Sequence, residues 1–317
     1  MATATVHPNI ALVKYWGKRD RELNLPSTGS LSMTLSHYET RTSVRFGVDR
    51  DRVMLNGQEA DDASAQRVLR HLDRIQEGRA PAEVISDNNF PTAAGLASSS
   101  SAFAALTLAA ARDLGLDLTP AQLSALARQG SGSASRSLWG GFVEWRRGIL
   151  EDGSDSHGLH IAPKDHWKLN MVIAVVDGNK KPVGSTEGMV RTMLTSPMYP
   201  AWVSTWQKDV DQARQAILDQ DLQALGEAME RSTLKMFSTM FTAQPPIRYW
   251  RPASLAIQDE VIRLRRDGIP CWWTMDAGPN VKVLCEPEDT MAVVDALQQH
   301  VDEVTALGVG GPPVVED

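Results

Sequence analysis

The sequence predicts an α+β protein of two lobes with a cleft between them, and three observations carry that expectation. The chain has 317 residues, enough for one large or two ordinary domains at roughly 100–200 residues each. Its first sixty residues are mostly strand-like alternation, and its second half alternates strand-like and helical segments. Between them, residues 146–166 are charged, glycine-containing and without period, which reads as a surface excursion at the lobe boundary. One lobe is therefore expected at residues 1–165 and the other at 166–317.

Composition narrows the function. With 42% hydrophobic and 22% charged residues, the chain is globular and can bury a core. A net charge of −7 argues against nucleic acid as a partner, which demands a broad basic surface, so any anionic ligand must be met by local cations. No apolar run reaches the roughly 18 residues of a membrane span, and the N-terminus lacks the basic and apolar regions of a secretory signal. The two cysteines, Cys271 and Cys285, lie in strand-like segments and could face each other across a hairpin. They make no disulfide framework, and a reduced, cytoplasmic setting is expected.

Taken in order, residues 9–13 read as a short apolar strand ending in the cationic, aromatic turn Lys14-Tyr15-Trp16-Gly17-Lys18-Arg19. Residues 31–35 and 42–48 alternate as strands, and Val53-Met54-Leu55 before Asn56-Gly57 signals a hairpin. Residues 63–76 carry apolar side chains at helical spacing, and residues 82–85 form another short strand. Thr119-Pro120 caps a helix that stops at Gly130, before the loop Gly130-Ser131-Gly132-Ser133-Ala134-Ser135-Arg136 and a strand through Trp145. In the second half, residues 171–176 suit a buried central strand. A stripe of Trp202, Trp206, Val210, Ala213 and Ile217 reads as a helix packing face. Pro245-Pro246 precedes a helix over 253–266, residues 271–275 and 281–284 read as strands around Asp276-Ala277-Gly278-Pro279-Asn280, and Gly310-Gly311-Pro312-Pro313 reads as a frayed tail.

The chain is organised around residues 89–101, where Pro91, Gly95 and small residues lead into a serine run and an alanine-rich helix. A helix N-terminus offers free N–H groups and a favourable dipole to an anion, although serines also cap helices without any ligand. Cations Lys14, Lys18 and Arg136, hydroxyls Ser99, Ser131 and Ser133, and the carboxylate of Asp276 all stand where a strand or helix ends beside a glycine. That placement lets them converge on one cleft. On the residues alone, Asp276 is equally ordinary turn chemistry, and Arg136 could equally pin its loop to a structural carboxylate. The seven histidines show no metal-ligand spacing.

Pro91-Thr-Ala-Ala-Gly-Leu-Ala-Ser-Ser99 resembles the phosphate loop of the GHMP kinase superfamily. More narrowly, Lys14-Tyr-Trp-Gly-Lys-Arg-Asp20, Gly130-Ser-Gly-Ser-Ala-Ser-Arg136, Gly184-Ser-Thr-Glu-Gly-Met189 and Met275-Asp-Ala-Gly-Pro-Asn280 resemble the diphosphomevalonate decarboxylase family. The motifs occur in the family's order across nearly the whole chain. The resemblance implies a GHMP kinase-like fold with a ribosomal S5 domain 2-like N-terminal lobe and a ferredoxin-like C-terminal lobe, usually as a homodimer. It implies ATP-dependent conversion of diphosphomevalonate to isopentenyl diphosphate, phosphate and carbon dioxide in isoprenoid biosynthesis.

The same resemblance implies roles. Asp276 is the general base, with Lys14 and Arg136 as its catalytic companions. Tyr15, Lys18, Ser131, Ser133, Arg136 and Ser185 bind substrate. Pro91, Gly95, Ala97, Ser98, Ser99 and Ser100 bind ATP, with Ser99 on Mg2+. One departure stands out: the family commonly reads Asn-Ser-Ser-Leu-Ser where this chain has Thr28-Gly29-Ser30-Leu31-Ser32, so a polar side chain near the substrate is missing at Gly29. The alternatives of a 5-phosphomevalonate decarboxylase and a mevalonate-type small-molecule kinase therefore stay open.

Overall fold

Alternating side chains need strands that bury one face, and the first sixty residues supply eight of them. In the computed structural model, which describes residues 1–90, 98–179 and 181–317, these are β1 (Ala2–Val6), β2 (Asn9–Val13), β3 (Lys18–Asp20), β4 (Leu25–Pro26), β5 (Ser30–Thr34), β6 (Thr40–Phe46), β7 (Arg52–Leu55) and β8 (Gln58–Glu59). The β7–β8 turn places Asn56 and Gly57 at φ 48° and 74°, the left-handed pair that a tight hairpin requires. Helix α1 (Asp62–Ile75), β9 (Ala82–Asn88), α2 (Ser98–Asp113) and α3 (Pro120–Gly130) follow. Thr119 and Gln122 form a reciprocal capping box at the start of α3, satisfying two otherwise orphaned N–H groups. A 3₁₀ turn at Gly132–Arg136 leads into β10 (Phe142–Trp145) and β11 (Gly158–Ala162).

The second half begins with β12 (Asn170–Val175), then runs through α4 (Ser185–Thr195), α5 (Tyr199–Asp219), α6 (Leu222–Phe241) and α7 (Pro252–Arg266). It continues with β13 (Cys271–Met275), β14 (Val281–Cys285), α8 (Thr290–Leu297), β15 (Glu303–Gly308) and β16 (Val314–Glu316). Among the described residues, three larger sheets result, ordered β16-β1-β6-β9-β7-β8, β11-β10-β5-β2 and β13-β14-β12-β15. The last is antiparallel throughout. Cys271 and Cys285 are register partners on β13 and β14 and are buried, free thiols. Among the described residues, no helix is long and apolar enough to cross a membrane.

One apolar cluster joins the two halves: Ile10, Leu31 and Met33 pack with Met171, Ile173, Val210, Ile217 and Leu284. Trp202, Val210, Ala213 and Ile217 are buried along α5, as the tryptophan stripe predicts. Arg214 of α5 donates to the buried carboxylate of Glu144 on β10 (Nε–Oε2 2.8 Å), a second tie between the halves.

Two expectations are corrected. Residues 146–166 are not wholly a surface excursion, because residues 158–162 form β11 and pair with β10; the signal was hidden by flanking charges. The tail is not frayed either. Gly310 donates to Thr34 and accepts from Gly141, and β16 then adds to β1 as an edge strand. A Cβ at Gly310 would stand 2.3 Å from the carbonyl oxygen of Leu35, so the backbone can pass only as glycine. Gly310→Ala is expected to cost about 1–3 kcal/mol, the usual penalty of overpacking, read as a lowered urea midpoint; an unchanged midpoint would show that the return of the tail contributes nothing to stability.

Candidate active site

Of the predicted cations, Lys14 and Arg136 meet the predicted carboxylate, Asp276, where the two halves face each other, in a cleft of about 520 Å³. Lys14 reaches it because the β2–β5 register slips between Ala11 and Val13, and such irregularities re-aim side chains. Its Nζ donates to the Ala11 carbonyl (2.8 Å) and to Asp276 Oδ1 (2.8 Å), and its own N–H donates to Ser232 of α6 (2.9 Å). Lys14 is 1% exposed. Asp276 follows β13 directly, and its side chain keeps 29% of its surface accessible, towards the cleft.

The rest of the Asp-Ala-Gly-Pro-Asn motif holds that carboxylate in place. Gly278 N–H donates to the Asp276 carbonyl (2.8 Å), and Asn280 Oδ1 accepts from the N–H groups of Val176 and Asp177 (2.8 and 3.0 Å). Asp276 Oδ2 is occupied by a residue that sequence reasoning missed: Lys282 Nζ lies 3.0 Å away. The available signal was a single lysine within the otherwise apolar strand Val281–Cys285, since a buried ammonium requires a counter-charge.

Arg136 ends the 3₁₀ turn and is 2% exposed. Its guanidinium donates to Ser30 Oγ (2.6 Å) and Asn9 Oδ1 (3.2 and 3.3 Å). The Asn9 amide is oriented in turn by Ser133 and Ser137. Among the described residues, no carboxylate forms an ion pair with Arg136, so it is not a loop pin of the kind that pairs with a structural acid. Trp145 lies beneath it (5.9 Å to the ring centroid) and also packs against Tyr15 (4.7 Å between centroids). Tyr15 lines the cleft with a buried hydroxyl that has no hydrogen-bond partner among the described residues.

The serines divide. Ser99, Ser131 and Ser133 form a chain of hydroxyls spaced 3.2 Å apart, and Ser98, Ser99 and Ser133 line the cleft. Ser100 is wholly buried, accepts from the N–H of Asn9 (3.5 Å) and does not itself line the cleft. Ser185, the first residue of α4, accepts from Lys181 Nζ (2.8 Å), and both line the cleft. Lys18 stands apart from the lining, on β3, with its N–H on Met193 Sδ; burial and the nearby Arg67 and Arg21 lower its pKa. Pro91, Gly95 and Ala97 lie outside the described residues.

Gly29 has a local explanation that its sequence did not show. A Cβ there would meet the Trp206 ring at 2.4 Å, so the missing side chain points at α5 and not into the cleft. The hydroxyl that reaches Arg136 comes from Ser30, next in the chain.

Electrostatically the site is a surplus of cations in a protein of net charge −7. Among the described lining residues, Lys14, Arg136, Lys181 and Lys282 face only Asp177 and Asp276. Burial pushes the Asp276 carboxyl up, but the two lysines outweigh it and hold it well below the usual carboxylate range. Burial lowers Lys14 to about 8 despite Asp276, and lowers Arg136 to about 10, so both carry charge at neutral pH. The arrangement can bind a multiply charged anion and set a carboxylate against it.

Comparison with known proteins agrees with this geometry. Residues 6–158 match a family described as the diphosphomevalonate decarboxylase-like N-terminal domain. Residues 171–308 match the mevalonate 5-diphosphate decarboxylase C-terminal domain. The chain belongs to the diphosphomevalonate decarboxylase family. Among its relatives, the diphosphomevalonate decarboxylase mvd1 of Aspergillus fumigatus is 38% identical, covering 98% of this chain and 83% of the relative. That of Bos taurus is 38% identical, covering 95% and 80%. The crystal structure of mevalonate diphosphate decarboxylase from Staphylococcus aureus matches with a TM-score of 0.94 at 36% identity, covering 100% of this chain and 99% of that one. A structure of MDDEF in complex with MVAPP, AMPPCP and magnesium matches with a TM-score of 0.93 at 39% identity, covering 100% and 98%. The family's two-lobed α+β fold is therefore the fold of this chain.

The lowered pKa of Lys14 has a measurable consequence. An anion in the cleft favours the charged ammonium and raises that pKa. Binding of inorganic triphosphate should therefore take up protons near pH 8.5, where the free side chain is mostly neutral, and less near pH 6.5, where it is already charged. Calorimetry in buffers of different ionisation enthalpy reads this uptake, which should fall in Lys14→Met. Equal uptake by both proteins would assign the proton elsewhere.

Proposed function

We infer that this chain catalyses the ATP-dependent decarboxylation of 5-diphosphomevalonate to isopentenyl diphosphate, phosphate and carbon dioxide. The observation that carries the reading is a carboxylate, Asp276, held between two lysines in the same cleft as a buried guanidinium that has no acidic partner among the described residues. A buried fork with neutral partners, Ser30 and Asn9, suits a substrate that carries a carboxylate as well as phosphate. The similar structure of MDDEF in complex with MVAPP, AMPPCP and magnesium supports the same reading. The orientation of Gly29 towards Trp206 gives the departure at residues 28–32 a packing reason that does not involve the substrate's phosphates.

The residues fit a nucleotide and its metal. The cationic surplus suits a polyphosphate, and Ser98 and Ser99 open α2 beside it, where a helix N-terminus favours anions. Among the described residues, no group of three or more His, Cys, Asp or Glu side chains is placed to hold a metal ion. Magnesium would be held by the nucleotide's phosphates and Ser99, and would supply neutralisation of phosphate charge.

The chain's own residues then divide the work. Asp276 accepts the proton of the tertiary 3-hydroxyl as its oxygen bonds to the γ-phosphorus and the bond to the nucleotide's bridging oxygen breaks. Phosphoryl transfer is loose, and a carboxylate held well below its usual pKa takes that proton late. Lys14 and Lys181 offset phosphate charge. Arg136 holds the C1 carboxylate bidentately, as its planar fork allows. It orients the group whose electron pair, on loss of carbon dioxide, becomes the new double bond while phosphate leaves from C3. Holding the carboxylate too tightly would stabilise the ground state, so Arg136 acts as an orienting clamp. Tyr15, Ser131, Ser133, Ser185 and Lys18 bind the substrate's distal phosphates. We assign residues 1–165 to the lobe that binds nucleotide and substrate and 166–317 to the lobe that carries Asp276, and we expect a cytoplasmic homodimer.

Asp276→Asn should lower kcat by roughly 10²–10⁴ with little change in ATP affinity, as loss of a general base does; turnover near that of the native enzyme would remove Asp276 from the mechanism. Arg136→Lys should raise KM for the acid and lower kcat, because the charge remains and the fork is lost, and an unchanged KM would make Arg136 structural. The reaction itself is tested by offering ATP and magnesium with mevalonate, its 5-phosphate or its 5-diphosphate. ADP and carbon dioxide should appear together with the diphosphate, whereas ADP alone would identify a kinase.

A further inference from the structure

We propose that Lys282 is a positioning residue of this reaction, acting through Asp276: it anchors Oδ2 so that the carboxylate, held on Oδ1 by Lys14, presents a fixed edge to the cleft. The inference rests on the proposed role of Asp276 as the base.

Strand geometry makes Lys282 unusual. On β14 it alternates with Val281 and Val283, which pack into the cluster around Met275 and Ile257, so its side chain points to the opposite face of the sheet. Its register partners there are Ile173 on β12 and Thr274 on β13. Leu284, two residues on, belongs to the apolar cluster joining both halves of the chain. Lys282 is thus an ammonium, 1% exposed, on a face whose neighbours are Ile173, Leu284 and the neutral hydroxyl of Thr274, and such a charge is costly unless paired. Its contact with Asp276 Oδ2 at 3.0 Å meets that need without closing the cleft, because Lys282 itself lines it.

The consequence for Asp276 is geometric and electrostatic. A carboxylate with one anchored oxygen can swing about its terminal torsion, which is broad for aspartate. With both oxygens anchored, from β2 on one side and β14 on the other, that torsion is locked. Small losses of alignment at a reacting group carry large rate penalties. Among the described residues, the charged and titratable groups around Asp276 are Lys14 just after β2, Lys282 from β14, Lys181 ahead of α4, Arg136 from the 3₁₀ turn and Asp177 after β12. Among the described residues, removing Lys282 leaves three cations, of which only Lys14 is paired with the carboxylate.

The test compares Lys282→Met, which keeps length and apolar bulk while removing the charge, with Lys282→Arg, which keeps the charge. In Lys282→Met, kcat should fall about 10–100-fold with KM for ATP changed less than about twofold, since uniform binding is untouched. Loss of a cation raises a carboxylate pKa by about 1–3 units. The pH profile of kcat/KM should therefore gain or raise an acid limb in Lys282→Met relative to the native enzyme, while Lys282→Arg retains most of the activity and the native profile. Native kcat and an unshifted profile in Lys282→Met overturn the proposal. So does loss of activity in both variants with no shift, which would make Lys282 a packing residue. If Lys282→Met fails to fold, Lys282→Gln supplies the same readouts; failure of both neutral variants to fold also assigns Lys282 to stability and overturns the positioning role. Asp276→Asn measured alongside separates the two readings: if it is inactive while Lys282→Met is native-like, the base stands and only this inference falls.

Discussion

A carboxylate gripped by two buried lysines, with a buried guanidinium close by and no acid paired to it among the described residues, is an arrangement that water would relieve if it could enter freely. Taking ammonium and guanidinium groups out of water costs several kcal/mol each before pairing, and Asp276 offsets only part of that for Lys14 and Lys282. The remaining positive charge is held by rigidity. Asn9 and Ser30 fix Arg136 through neutral hydrogen bonds, the backbone irregularity in β2 aims Lys14, and the turn after β13 is tied to the end of β12 by Asn280. A polyanionic substrate supplies the charge the protein lacks, so its binding energy can be directed to orienting a hydroxyl and a carboxylate.

Everything else in the fold serves to keep the two halves from parting. The apolar cluster from Ile10 to Leu284 crosses between them, the Arg214–Glu144 pair does so again, and Lys14 and Asp276 come from strands on opposite sides. The C-terminal segment returns to β5 through Gly310 and to the first sheet through β16. Asp209, wholly buried between Arg231 and Lys235, ties α5 to α6, the helices that pack beneath the cleft and carry Ser232 to the backbone of Lys14. Such ties matter because a misplacement of about 1 Å at a reacting group is enough to lose much of the rate.

What was legible in the chain was whatever neighbours in sequence decide. The Asn56-Gly57 hairpin, the Thr119-Pro120 cap and the stripe from Trp202 to Ile217 announce themselves through turn chemistry, capping and period. Lys14, Arg136 and Asp276 were legible as a set because each motif ends an element beside a glycine. Residues 158–162 were not, because the ladder that makes them a strand is supplied by β10. Gly29 was misread for a similar reason: its lack of a side chain answers Trp206, which lies far along the chain on another helix.

The amino-acid order by itself determined the family and most of the succession of strands and helices, and it pointed to Asp276, Lys14 and Arg136 as candidates, since these rest on local period and motif. Only the tertiary structure decided that Arg136 contacts neutral groups, that Ser100 turns inward while Ser99 lines the cleft, and that Lys282 closes on the free oxygen of Asp276. Those outcomes depend on burial and on distances between segments remote in sequence. Charge in a low-dielectric interior is governed by what stands within a few ångströms, and no reading of neighbours along the chain contains that information.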